Sequence, residues 1–154
     1  AQAAGSASVA PFRTVQNRYS VLHREPEEDG VLGACGRLDV GFVPFFPLES
    51  GLLTGKYTKG TDAPQGSRLA NPRFGKQFLS DDRLDQAQAL SDYAAERGHT
   101  LLELALGWLT SNPTVTTVIA GATRPDQVAA NTAAAQSWAM TADERARVDQ
   151  VLGR

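Results

Sequence analysis

The stretch Val118-Ile-Ala-Gly-Ala-Thr-Arg-Pro-Asp-Gln-Val-Ala-Ala-Asn131 changes character at a glycine and again at a proline. Ahead of Gly121 it is a β-branched apolar run. From Pro125 it reads as a helix, with proline in the first turn, where a missing N–H is no loss. A strand feeding a helix N-terminus leaves backbone N–H groups without intrahelical partners, and the helix dipole adds positive potential there. Such a corner favours an anion, most often a phosphate. Arg124 adds a charge beside it, and Gln127 and Asn131, four apart, share one helix face. On spacing alone the plainer reading, a proline-started helix with solvated amides at Gln127 and Asn131, carries more weight.

Working outward, the chain repeats the same strand and helix alternation. Thr14 to Ser20 alternates apolar and polar residues and predicts a strand; Pro26 opens a helix to about Leu38, closed by Asp39 and Gly41. Phe42 to Phe46 predicts a second strand, made short or irregular by Pro44, which cannot donate to a ladder. From Pro47 to Ser80 glycine, proline and polar residues predict a long loop, a length usually tied to function or mobility. Ser80 is placed to cap a helix that Gly98 stops. Thr100 with Glu103, and Thr141 with Glu144, have capping-box spacing for two more helices. The first runs from Leu101 to Ser111, its Trp108 and leucines facing the core, and the second reaches the C-terminus. Thr116 to Ala120 is the expected third strand, followed by a helix from Pro125 to about Ala135. Strands alternating with helices predict a parallel α/β fold with its chemistry at the carboxyl ends of the strands.

At 154 residues the chain fits one domain. With 42% hydrophobic and 21% charged residues it has the means to bury a core. A net charge of −2 argues against nucleic acid or a membrane surface as partner. No apolar run approaches the roughly 20 residues that span a bilayer, and no signal peptide is evident. The one cysteine, Cys35, rules out an internal disulfide framework and points to a reducing cytoplasm; it reads as a small buried residue rather than a catalytic thiol. The opening Ala1-Gln-Ala-Ala-Gly5 lacks a methionine and the single methionine is Met140, so the chain is expected to be processed or part of a longer polypeptide.

Three strand ends then invite a chemical reading. The first carries Gln16 and Tyr19, the second Phe45, Phe46 and Ser50, the third Gly121 to Asn131. A side-chain amide, a planar aromatic and a helix N-terminus with an arginine suit a nicotinamide carboxamide, its ring and an adenosine phosphate. Core packing is the competing role for Phe45 and Phe46 and is expected of at least one, since adjacent strand residues face opposite ways.

These residues resemble the aldo-keto reductases, specifically the carboxyl-terminal half of their (β/α)8 barrel, over about Val15 to Leu152. Val15-Gln-Asn-Arg-Tyr-Ser20 with Arg24-Glu25-Pro26 is similar to the sixth barrel strand and its loop. Pro44-Phe-Phe-Pro-Leu-Glu-Ser-Gly-Leu-Leu-Thr-Gly-Lys-Tyr57 is similar to the seventh strand and the large loop that covers the dinucleotide. Val118 to Asn131 is similar to the eighth strand and the helix that holds the adenosine 2′-phosphate. Together, in this order, the motifs are specific. The resemblance implies a partial TIM barrel, the last three βα units plus a C-terminal helix, forming one domain over residues 1–154, with the 47–80 loop over the cofactor site.

The resemblance also implies roles. Gln16 matches the residue that holds the nicotinamide carboxamide, and Phe45 the ring stacked on the nicotinamide. Leu48 and Ser50 fall where the pyrophosphate is contacted, with Leu52, Thr54 and Lys56 weaker candidates in the same loop. Gly121, Thr123, Gln127 and Asn131 line the adenosine end. Arg124 is the implied phosphate partner, one residue later than in relatives. Ala130 departs from an acidic residue often found there, which removes one adenine or ribose contact. The implied cofactor is NADP and the implied chemistry hydride transfer to a small carbonyl substrate. The family's catalytic tyrosine, lysine, aspartate and histidine come from the amino-terminal half, and no tyrosine, histidine or lysine here sits in a matching motif. No catalytic residue and no metal ligand is therefore assigned. Half a barrel exposes strand edges and interior side chains, so self-association or pairing with an amino-terminal half is expected. A noncatalytic nucleotide-binding or regulatory protein, or a truncated remnant, is the alternative.

Overall fold

Two strands run side by side in parallel: β1 (Thr14–Arg18) and β2 (Gly41–Phe45), in the register Thr14–Gly41, Gln16–Val43 and Arg18–Phe45. The computed structural model describes residues 12–154; the opening Ala1 to Gly5 stretch lies outside them. The rest is helical: α1 (Glu25–Glu28), α2 (Val31–Arg37), α3 (Pro72–Phe78), α4 (Asp81–Ala95), α5 (Leu101–Thr110), α6 (Pro125–Ser137) and α7 (Ala142–Val151).

The third strand is less regular than expected. The 115–119 segment lies parallel to β2, but is joined to it only by bridges at Phe42–Val115 and Phe45–Ile119. Pro44 is the cause. Phe42 donates to the Thr114 carbonyl and accepts from the Thr116 N–H. A regular parallel ladder would next have residue 44 donate to Thr116, which proline cannot do. Pairing resumes one residue late, with the Ile119 N–H donating to the Pro44 carbonyl at 2.9 Å.

Two other expectations change in detail. The helix over Pro26 to Leu38 is broken, because Gly30 adopts φ +79° between α1 and α2. The 47–80 region is not a bare loop. It holds 3-10 turns at Glu49–Thr54 and Arg68–Ala70 and the helix α3, whose first turn is capped by the Asn71 side chain. Gly and Pro abundance marks breaks in a chain, and short helices between breaks carry too little periodicity to be read. Both capping boxes form: Thr100 and Glu103 on α5, Thr141 and Glu144 on α7.

The core lies on one side of the sheet. Tyr19 and Phe42 meet edge to face at 5.5 Å, and Tyr19 lies 5.2 Å from Trp108 on α5. Leu104, Trp108 and Leu109 are fully buried, as the apolar run in this helix requires. Gly107 lets α5 approach the residues after α6 so closely that a Cβ there would lie 2.5 Å from the Trp138 carbonyl oxygen. Arg24 spans the back of the core, its guanidinium 4.2 Å from the Trp108 ring and paired with Glu27 and Asp149. Among the described residues no helix is long and apolar enough to cross a membrane.

Candidate functional site

Side chains alternate across a strand, so the pairs Gln16–Val43 and Arg18–Phe45 share the sheet face turned away from Tyr19 and Phe42. The Phe45–Ile119 bridge extends that face to the third segment. Gln16 is exposed there, Phe45 is half-buried, and Ile119 is 45% exposed. Parallel strands bring their carboxyl ends to one edge, so the three strand ends singled out in the sequence converge. Two corrections follow. Tyr19 is not at this edge: it is wholly buried and its hydroxyl donates to the Glu27 carboxylate. Neither Phe45 nor Phe46 is core, because the alternation buries Phe42 and Pro44 instead; the two rings pack on each other near the surface, 5.6 Å apart.

The chain leaves β2 through a left-handed turn. Phe46, Glu49 and Ser50 all have positive φ (57°, 47° and 58°), as does Gly51 (98°). For non-glycine residues this conformation costs on the order of 1–3 kcal/mol each and persists only where neighbours over-determine it. Glu49 supplies the determination. It is 0% exposed, and its carboxylate accepts from Arg18 Nη2 at 2.5 Å, Arg83 Nη2 at 2.6 Å and Ser20 Oγ at 2.8 Å. Both guanidiniums also flank the Phe78 ring, at 5.5 and 5.6 Å. Burial, and then the Arg18 charge, hold the neighbouring His23 imidazole below its usual value. On either side of Glu49 stand Leu48, half-buried, and Ser50, whose Oγ is buried without a hydrogen-bond partner. An orphaned hydroxyl in a strained turn at a strand end fits a ligand oxygen. Of the weaker candidates, Leu52 is buried in the core, Thr54 Oγ1 donates to the Gly51 carbonyl, and Lys56 lies over the Tyr57 ring.

From Ile119 the chain passes through the exposed Gly121 into α6. Arg124 is the N-cap residue but makes no side-chain cap. Its guanidinium is committed to Asp126, Nε to Oδ1 at 3.0 Å and Nη2 to Oδ2 at 2.9 Å. Those bonds hold the Asp126 carboxyl below the usual range. The Gln127 side-chain oxygen accepts from Thr123 N at 2.8 Å and from Thr123 Oγ1 at 3.2 Å, which fixes the turn ahead of the helix. Asn131 stands one turn on, half-buried. Thr123, Arg124, Pro125 and Val128 border a shallow depression of about 590 Å³.

Sequence reasoning passed over Glu49, Arg18 and Arg83. The signal was present in part, as an acid in an otherwise apolar Phe45-Phe-Pro-Leu-Glu-Ser50 run; its partners lie 31 and 34 residues away and have no local pattern. Cys35 is buried as expected, and burial pushes its thiol up. Among the described residues no cluster of His, Cys, Asp and Glu is placed to hold a metal.

The aldo/keto reductase family model matches residues 1–152. The chain belongs to the aldo-keto reductase family. It is 34% identical over 145 residues to the L-glyceraldehyde 3-phosphate reductase of Escherichia coli (strain K12), a match over 91% of this chain and 41% of that protein. It is 39% identical over 119 residues to a probable voltage-gated potassium channel subunit beta of Arabidopsis thaliana, over 75% and 36% respectively. A glycerol dehydrogenase structure from Gluconobacter oxydans superposes with a TM-score of 0.76 at 28% identity, over 95% of this chain and 44% of that one. The chain thus spans about two fifths of the length of the relatives it matches, consistent with part of an aldo-keto reductase barrel. Proteins of this family are oxidoreductases that use nicotinamide cofactors.

Proposed function

We propose that this chain is the cofactor-binding part of an NADP-dependent reductase that converts a small carbonyl compound to an alcohol. The observation that supports the reading is the parallel order of β1, β2 and the 115–119 segment, which puts an open amide (Gln16) and an aromatic ring (Phe45) on one sheet face and leads the chain from the same strand ends to an orphaned hydroxyl (Ser50) and an arginine-bearing helix N-terminus (Arg124). NADPH supplies a hydride when bound. Gln16 orients the carboxamide, and Phe45 offers a flat apolar surface that fixes which face of the ring is presented. Leu48 and Ser50 receive the pyrophosphate within the turn after β2, while the 47–80 region closes over it. Gly121, Thr123, Gln127 and Asn131 line the adenosine end. Arg124 selects the 2′-phosphate by charge and by its planar donor fork.

No residue of this chain matches the family's proton-donating tetrad, so hydride transfer requires groups this chain does not supply. Alone it is proposed to bind and not to turn over, acting with an amino-terminal half. A binding or regulatory role in the cytoplasm is the second reading, favoured by the resemblance to a channel subunit. Titration of the purified chain with NADPH and NADH, followed by energy transfer from tryptophan to the nicotinamide, tests the proposal. Saturable binding that is tighter for NADPH supports it. Equal affinity for the two removes the NADP assignment, and no binding by a folded chain removes the cofactor site.

A further inference from the structure

Glu49 takes no part in the cofactor contacts the family resemblance implies, yet it is the most heavily bonded side chain near them. Its carboxylate joins three parts of the chain: Arg18 at the end of β1, Ser20 in the turn that follows, and Arg83 in the first turn of α4. Ser20 Oγ in turn accepts from the Leu22 and His23 N–H groups, so the turn after β1 is tied to the same point. The four residues surround a turn whose backbone is strained at Glu49 and Ser50. Three buried polar atoms around it lack partners: Arg18 Nε, Arg83 Nε and Ser50 Oγ. Buried donors without partners beside a strained backbone call for a partner, and an anionic ligand oxygen is a group that would satisfy them.

We infer that Glu49 is a positioning residue for the cofactor pyrophosphate: with Arg18, Arg83 and Ser20 it holds the 48–51 turn in its left-handed form, so that Ser50 faces the pyrophosphate before the cofactor arrives. The inference rests on the NADP reading above. Glu49 carries one negative charge between two guanidinium charges, so the cluster is net positive, which suits an anionic ligand next to it. A turn already shaped loses little freedom on binding, and that raises affinity without adding a contact from Glu49 itself.

Two ligands separate this role from general stability. NADPH is proposed to span the turn and α6, whereas adenosine 2′-monophosphate, which lacks the 5′-phosphate, carries no part of the pyrophosphate and is left with the adenosine end at α6. Glu49→Gln and Arg83→Gln are titrated with both, alongside thermal melts. The expected result is NADPH binding weakened about tenfold or more in Glu49→Gln, a smaller loss in Arg83→Gln, and adenosine 2′-monophosphate binding within about twofold of the parent in both. Unchanged NADPH affinity in both variants overturns the inference. Equal weakening of both ligands, tracking a lower melting temperature, also overturns it, because the residues then act through stability alone. If Glu49→Gln does not fold, Arg83→Gln decides by the same comparison. If the parent chain binds neither ligand, the NADP reading has failed and the inference falls with it; parent binding of NADPH that neither variant weakens is failure of the inference alone.

Discussion

Arg124 and Asp126 form a two-bond ion pair, at 3.0 and 2.9 Å, across the first turn of α6. The carboxylate sits where the cofactor's 2′-phosphate is proposed to bind, so the phosphate has to displace it. Asp126→Asn is expected to tighten NADPH binding about threefold to tenfold and to leave NADH nearly unchanged. Arg124→Ala is expected to weaken NADPH about tenfold, again sparing NADH. Titration of both variants with both nucleotides checks the sign of each effect.

Phe45 lies on the sheet face turned away from the Tyr19–Phe42 core, half-buried and outside the core cluster, with its ring against that of Phe46, so its removal separates binding from folding. Phe45→Ala is expected to change stability by less than about 1 kcal/mol while lowering NADPH affinity about threefold to tenfold, the range an aromatic stack contributes. A large drop in melting temperature would show that the ring is structural after all.

Gly107 sits where α5 passes the chain after α6. A methyl group there would meet the Trp138 carbonyl oxygen at 2.5 Å, and backbone cannot swing aside as a side chain can. Gly107→Ala is expected to destabilise the chain by about 1–3 kcal/mol despite the better helix propensity of alanine. Urea unfolding of the variant measures it.

The two capping boxes set an acid limit. Backbone hydrogen bonds from Thr100 and Thr141 hold the Glu103 and Glu144 carboxyls below their usual range. A carboxyl whose value is lowered by folding stabilises above its unfolded value, and that contribution is lost as pH falls through the lowered folded value. Stability is therefore expected to decline below about pH 4.5. In Glu103→Gln with Glu144→Gln the decline over that window is shallower, from a lower plateau near neutrality. Melting temperatures between pH 3 and pH 7 give the comparison.

The helices α4 to α7 were legible because each has a local start signal: the Thr100 and Thr141 boxes, Pro125, and Ser80, which stands at the N-cap of α4 although its hydroxyl makes no capping bond. The strand β1 was legible from alternation and β2 and the 115–119 segment from their apolar runs, and the parallel order of the three followed from the helices between them. What escaped was non-local. The slip opposite Pro44 depends on which neighbour residue 44 bonds to, and the sequence shows only that proline is there. The helical content of 47–80 depends on packing of short segments. The Glu49 network joins residues more than 28 positions apart, and its strain is visible only in the backbone angles.

The measurement that bears most directly on the cofactor site is an NMR titration of the isotopically labelled chain with NADPH, reading backbone and side-chain shifts by residue. The account predicts shifts concentrated at Gln16, Phe45, Leu48, Ser50 and the Gly121 to Asn131 segment, all with one saturation curve. Shifts confined to α6, or spread over residues away from this sheet edge, would contradict the claim that the three strand ends form a single nicotinamide nucleotide site.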